Sequence, residues 1–207
     1  MTISIIFFIA ILIISVVIHE VSHGYTAYAL GDPTAKLAGR LTLNPIPHLD
    51  PVGSVMVPLF LSLFPSGIIF GWARPVPYNP YNLKAGKWGP AIVALAGPAS
   101  NLLIAFLFGF LIRLAPVLNI NSEAILTLLI KIVLINIVLA VFNLIPIPPL
   151  DGSKILFTLL PYRFRAITEW LERYQLLLIL ALILVAAGLI TPFVSLLFYL
   201  FTGQMPF

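Results

Sequence analysis

The chain has 207 residues, of which 61% are hydrophobic and only 9% charged, with a mean hydropathy of +1.12. So apolar a composition excludes a soluble domain and marks a multi-span membrane protein, whose net charge of +4 sits in short loops and bears on lipid headgroups and topology. No basic patch with interleaved aromatics suggests a nucleic-acid partner, and the absence of cysteine excludes disulfides, thiolate metal ligands and cysteine nucleophiles.

Residues 3 to 30 read as one helix, apolar as far as Ile18 and stopped by Gly31-Asp32-Pro33. It carries no basic n-region and no small-residue cleavage site, so it reads as a span and not as a signal peptide. Near its end lies His19-Glu20-Val21-Ser22-His23. Two histidines four residues apart share a helix face and can grip one Zn²⁺, while Glu20 beside them reaches a metal-bound water. Burying two imidazoles and a carboxylate at membrane depth is costly unless a metal uses them, which points to the chemistry of a metallopeptidase.

Beyond this helix, the alternation from Lys36 to Pro45 suggests a short strand and turn, followed by His48, Asp50 and an apolar run from Val52 to Phe70 broken by Pro58, Pro65 and Gly67. Gly71 to Pro77 is expected to be extended, because Pro75 and Pro77 at alternate positions forbid a helix. Three cleaner spans follow, over 91 to 115, 124 to 146 and 175 to 200, each long enough for a bilayer core of about 30 Å. The first opens with Gly97-Pro98-Ala99-Ser100-Asn101, where small residues permit close helix contact and Asn101 needs a polar partner. The second carries Asn136 and Asn143 on one face and runs into Pro146-Ile147-Pro148-Pro149-Leu150-Asp151-Gly152. Asp151 projects from that proline-stiffened segment as a carboxylate near membrane depth, a position that suits equally an ordinary turn or helix cap and a metal ligand. Residues 154 to 173, with Arg163, Arg165, Glu169, Trp170 and Glu172, form an amphipathic stretch suited to the membrane interface.

His19-Glu20-Val21-Ser22-His23 in the first span, Gly97-Pro98-Ala99-Ser100-Asn101 opening a later one, and Asn143-Leu144-Ile145-Pro146-Ile147-Pro148-Pro149-Leu150-Asp151-Gly152 ending the next together resemble the site-2 protease family, the intramembrane zinc metalloproteases of peptidase family M50. The chain is similar to the compact prokaryotic type without PDZ or CBS domains. The resemblance implies one Zn²⁺ held by His19, His23 and Asp151, with Glu20 as general base and Asn143 supporting substrate or transition state. It implies hydrolysis of peptide bonds in or near transmembrane segments of membrane proteins by zinc-activated water. Similar compact members also suggest a role near the site for His48, either as a supporting or oxyanion group or, in the plainer reading, as an interfacial histidine bonded locally. A non-proteolytic zinc-binding membrane protein, a transporter or a pseudoprotease scaffold, is the alternative. A transporter should show a trail of polar residues across the membrane, whereas Lys131 is close enough to a span end to snorkel, and a pseudoprotease would lack Glu20.

The expected architecture is therefore an all-α membrane protein in a single domain over 1–207, with a catalytic core over about 3–152 and a C-terminal span over about 175–200. It has about four transmembrane helices, a re-entrant or membrane-associated segment at 52–70, and short extended or β segments within 36–90. His23 lies near the end of the first span and Asp151 just past the end of the 124 to 146 span, so the two spans must run the same way for the residues to meet. That leaves 52–70 to enter and leave by one face, the alternative being a true span of about 19 residues that would put Arg74, Lys84 and Lys87 outside and separate the ligands. Lys36, Arg40, Arg74, Lys84, Lys87, Lys154, Arg163 and Arg165 then share one side, with Arg113 opposite, and that side should be the cytoplasm of a prokaryotic cell membrane.

Overall fold

The computed structural model describes residues 2–62 and 71–205, and every regular element among them is helical. Four long helices form the body: α1 (Thr2–Ala29), α4 (Gly89–Leu114), α5 (Glu123–Asn143) and α8 (Gln175–Thr202). Between them stand the shorter α2 (Thr34–Leu37), α3 (Val57–Ser62), α6 (Asp151–Leu159) and α7 (Arg165–Arg173). Three stretches, Ile6–Ala29, Gly86–Leu114 and Glu123–Asn143, are long and apolar enough to cross a membrane. The helix α8 makes a fourth if its two halves, Gln175–Ala186 and Gly188–Thr202, bent by 60°, are one span. Pro192 inside α8 withdraws a backbone donor from the turn that includes Gly188, which accounts for a bend there.

Each span ends where its sequence can no longer supply helical donors. The first closes at Ala29 ahead of Pro33, and α5 closes at Asn143, three residues short of the expected 146, because Pro146, Pro148 and Pro149 follow. The central helix is α4, which packs against α1, α5, α6 and α8. Its far half shares a dry core with α5 and α8, built from Ala105, Ile112, Val133, Ile137, Val194 and Phe198. Large apolar side chains such as Phe106, Phe110, Leu177 and Leu184 point out of the bundle, the arrangement of a surface solvated by lipid.

The direction of the helices follows from their contacts. His23 meets Val93, His19 meets Asn101 and Ser15 also meets Asn101, so numbers fall along α1 as they rise along α4 and the two run antiparallel. Ser15 meets Asn136 while Asp151, beyond the end of α5, meets His19, so α5 runs parallel to α1 as the ligand argument requires. The chain from Leu30 to Lys84 begins and ends at one end of the bundle, because the Leu30 carbonyl accepts the Lys84 N–H at 2.8 Å. Asp32, fully buried, reinforces that closure by accepting the Asn79 N–H at 2.6 Å and the Asn82 carboxamide at 2.8 Å. Burial pushes its carboxyl up, but hydrogen bonds from Thr34, Asn82 and Asn79 outweigh this and hold it below the ordinary carboxylate range.

A tighter closure lies inside that loop. Trp72 N–H donates to the Gly53 carbonyl at 3.1 Å and the Ser54 hydroxyl donates to the Trp72 carbonyl at 2.8 Å, so the chain after Ser54 returns to the point it left. The expected apex, with Pro65 and Gly67, lies in 63–70, outside the described residues. The strand expected at 36–45 is absent among the described residues. Lys36 and Leu37 belong to α2, and Leu37 and Leu43 are 83% and 67% exposed, so their alternation has no partner strand to pair with. The segment 71–77 has no helix, and its alternate N–H groups at Trp72, Arg74 and Val76 go to the Gly53 carbonyl, the His48 carbonyl and the Glu20 carboxylate, the period of an extended chain. Single cysteines placed at Lys36 and Lys84 in this naturally cysteine-free chain are expected to react with an impermeant maleimide from one face of the membrane, and one at Arg113 from the other.

Candidate metal centre

Three side chains from two distant parts of the chain converge where α1, α4 and the start of α6 meet. His19 Nε2, His23 Nε2 and Asp151 Oδ2 stand 3.1 Å from one another in all three pairings. All three residues are buried, and among the described residues they form the one group of histidines and carboxylates arranged to hold a metal. The α-helical turn from His19 to His23 sets the two rings side by side, nearly perpendicular at 88°. Asp151 is delivered differently from the expected projection out of an extended segment. It is the first residue of α6, where a carboxylate suits the helix N-terminus, and the extended Leu150 precedes it. A Cβ on the following residue would collide with the Leu144 carbonyl, so Gly152 is what lets α6 begin against the end of α5.

The protonation of the cluster can be argued from its outer contacts. His23 Nδ1 lies 2.7 Å from the Val93 carbonyl, which can only accept, so Nδ1 carries a hydrogen, and the neutral ring that a metal requires then has its lone pair on Nε2. His19 Nδ1 lies 2.6 Å from Asn101 Oδ1 and donates in the same way. Three lone-pair atoms then face one another at 3.1 Å in a buried site, a repulsive arrangement unless a cation lies among them. The spacing is near the ~3.3 Å edge of a tetrahedron with metal bonds of about 2.0–2.1 Å. The donor set of two imidazoles and one carboxylate suits Zn²⁺ and leaves a position open. Lys154 Nζ, 3.4 Å from Asp151 Oδ1, engages the other carboxylate oxygen and leaves Oδ2 to the histidines.

Glu20 follows His19 directly, so it turns away from α4 and faces the 71–77 segment, where its Oε2 accepts the Val76 N–H at 2.9 Å. That segment is braced from below by the buried Arg40, whose Nη2 donates to the Arg74 carbonyl at 2.7 Å. His48 is buried, but its Nε2 lies 2.9 Å from the Thr42 carbonyl, and the side chain is not part of the cluster. Asn143 donates to the Leu139 carbonyl of its own helix at 2.9 Å. Among the described residues, the hydrogen bonds to the outer nitrogens of the two histidines go to Asn101 and Val93. The motif containing Asn101 was visible in the sequence, whereas nothing marked a backbone carbonyl at Val93 or a backbone N–H at Val76.

A buried His-His-Asp centre inside a bundle of apolar helices defines a class, the membrane-embedded metallopeptidases. Comparison with known proteins agrees. Residues 114–187, which include Asp151, match the model of peptidase family M50. The chain is 41% identical over 182 residues to "Putative zinc metalloprotease YwhC" of Bacillus subtilis (strain 168), covering 86% of this chain and 80% of that protein. It is 33% identical over 149 residues to "Putative zinc metalloprotease Rip2" of Mycolicibacterium smegmatis (strain ATCC 700084 / mc(2)155), covering 68% of this chain and 52% of that protein. The Mycobacterium tuberculosis (strain ATCC 25618 / H37Rv) protein of the same name is 32% identical over 143 residues with the same coverage. No solved structure matches the chain. The chain belongs to peptidase family M50, and it is an integral membrane metalloprotease of that family.

The close approach of Gly97 to the cluster yields a test. A Cβ built on Gly97 would fall 2.5 Å from His23 Nε2 and 2.6 Å from His19 Nε2, on the side of the rings that faces the ligand set. Alanine is a better helix former than glycine by about 1 kcal/mol, so Gly97→Ala is expected to keep the helical circular dichroism while lowering zinc affinity at least about 10-fold. Zinc content after dialysis against a competing chelator measures this.

Proposed function

We propose that the protein hydrolyses peptide bonds in or near transmembrane segments of membrane-protein substrates, with Zn²⁺ held by His19, His23 and Asp151. The observation that carries this reading is the buried triangle of ligand atoms at 3.1 Å, set among membrane-spanning helices with Glu20 one residue away. The names of the relatives, which call them zinc metalloproteases, support the choice of metal. Bound Zn²⁺ supplies a Lewis acid that polarises a substrate carbonyl and acidifies a water.

The work of the chain's own residues follows. His19, His23 and Asp151 fix the position of the site and leave one side open. Glu20 takes a proton from the attacking water and returns it to the leaving amine, and the Val76 N–H on Oε2 holds the carboxylate in one orientation while the other oxygen remains for that proton. The surrounding helices exclude bulk water and strengthen each electrostatic contact. A substrate helix shields its own carbonyls, so the target bond must be locally unwound, and helix-breaking residues in the substrate favour cleavage.

The partners are thus a transmembrane substrate and the lipid bilayer. The chain from Leu30 to Lys84, which carries Lys36, Arg40 and Arg74, begins and ends at the end of the bundle where α1 closes after His23, which supports a site toward the cytoplasmic side of a prokaryotic cell membrane. Ligands and base have separate tasks, so they separate experimentally. His19→Ala, His23→Ala and Asp151→Ala are expected to lose zinc and cleavage together, whereas Glu20→Gln keeps zinc and loses at least about 100-fold in cleavage of a reconstituted model transmembrane substrate. Cleavage at the wild-type rate by Glu20→Gln would refute the assignment of the base.

A further inference from the structure

We propose that Asn136, two hydrogen bonds away from the nearest metal ligand, is a positioning residue that sets the tautomer of His19. It does so through a relay whose polarity is fixed at a backbone carbonyl of α5. Asn136 and Asn101 are both fully buried in the middle of spans, and Ser15 beside them is buried as well. Each belongs to a different helix, so the three lock α5, α4 and α1 together. An amide left unpaired in such an interior is costly, so each of these groups finds a partner.

The carbonyls around the two carboxamides fix which way each one faces. Asn136 Nδ2 lies 2.9 Å from the Ile132 carbonyl and 3.0 Å from the Ser15 hydroxyl. The carbonyl accepts and cannot donate, so the atom facing it must be the amino nitrogen, and the carboxamide oxygen is turned the other way. That oxygen meets Asn101 Nδ2 at 2.8 Å, which assigns the amino group of Asn101 to this contact. A second carbonyl agrees, since Ser15 O lies 3.4 Å from the same Asn101 nitrogen. Asn101 must then present its oxygen to His19 Nδ1 at 2.6 Å, and only an N–H on Nδ1 satisfies it. The lone pair is left on Nε2, the atom that faces His23 and Asp151.

The two histidines are therefore prepared by different means. For His23 one bond to a main-chain carbonyl suffices. For His19 the instruction passes through two side chains, and it reverses if either carboxamide turns over. Turning Asn136 would set its oxygen 2.9 Å from the Ile132 oxygen, and turning Asn101 would set an N–H against the N–H of His19, so each flip puts like groups in contact. This gives a chemical reason for asparagine at 136, in the apolar stretch of α5 that follows Lys131. Mere adhesion between helices would need only a polar group, of either polarity.

The inference rests on the cluster being a metal centre but not on proteolysis, and its test reads the imidazole directly. Protein carrying ¹⁵N-histidine, purified without metal in detergent, is examined by NMR, with signals assigned by removing one histidine at a time. Wild type is expected to show His19 protonated at Nδ1. Asn136→Leu should turn His19 into a mixture of tautomers, leave His23 unchanged and weaken zinc binding about 10–100-fold. A wild-type His19 protonated at Nε2 overturns the relay whether or not any variant folds. Unchanged tautomer and zinc affinity in Asn136→Leu, with a lower thermal midpoint alone, would reduce Asn136 to helix adhesion. Failure of wild type to bind zinc would instead remove the metal reading itself, and the relay with it.

Discussion

Three lone pairs held 3.1 Å apart in a buried site are the constraint around which this protein is built. Without a cation the arrangement is repulsive, and with one it becomes a ligand set. The long helices can be understood as the means of bringing it about. His19 and His23 need one helix turn, and Asp151 needs a helix that starts within reach of them although it lies 128 residues after His23 in the chain. That demand makes α1 and α5 parallel, places α4 antiparallel between them, and requires the chain from Leu30 to Lys84 to begin and end at the same end of the bundle.

The polar interior follows from the same constraint. A membrane core tolerates ionisable and amide groups only where each finds a partner, and here the partners form a connected set running from Ile132 and Ser15 through Asn136 and Asn101 to His19. The set serves two ends at once, holding three spans in register and leaving Nε2 free to bind. Glu20 is kept outside it. Facing the extended 71–77 segment instead of α4, it is held by a backbone N–H and has no competing cation at hydrogen-bond distance among the contacts described.

Much of this could be read from the chain, and the parts that could not have physical reasons. The spans were legible because their apolar length is set by the bilayer, and the histidine pair because four residues make one helix turn. The parallel direction of α1 and α5 followed from requiring His23 and Asp151 to meet. The strand proposed at 36–45 failed because alternation alone does not supply a second strand, and a buried Asp32 turning the chain into α2 decided the local structure instead. Three prolines just before Asp151 suggest an extended segment, yet α6 already begins at Asp151, with only Leu150 between it and the last proline. Asn143 lies in the same motif as Asp151, and its amino group donates to its own helix, whereas Asn101 stands at the histidine. Support from main-chain atoms, Val93 to His23 and Val76 to Glu20, carries no side-chain signature and so left no trace in the sequence.

The most direct test of the central claim is the coordination shell of zinc in the purified protein, measured by X-ray absorption at the zinc edge. The account predicts one zinc per chain with two imidazole nitrogens at about 2.0–2.1 Å and carboxylate and water oxygens completing a four-coordinate shell. A shell made of water oxygens alone, or one holding a single imidazole, would contradict it.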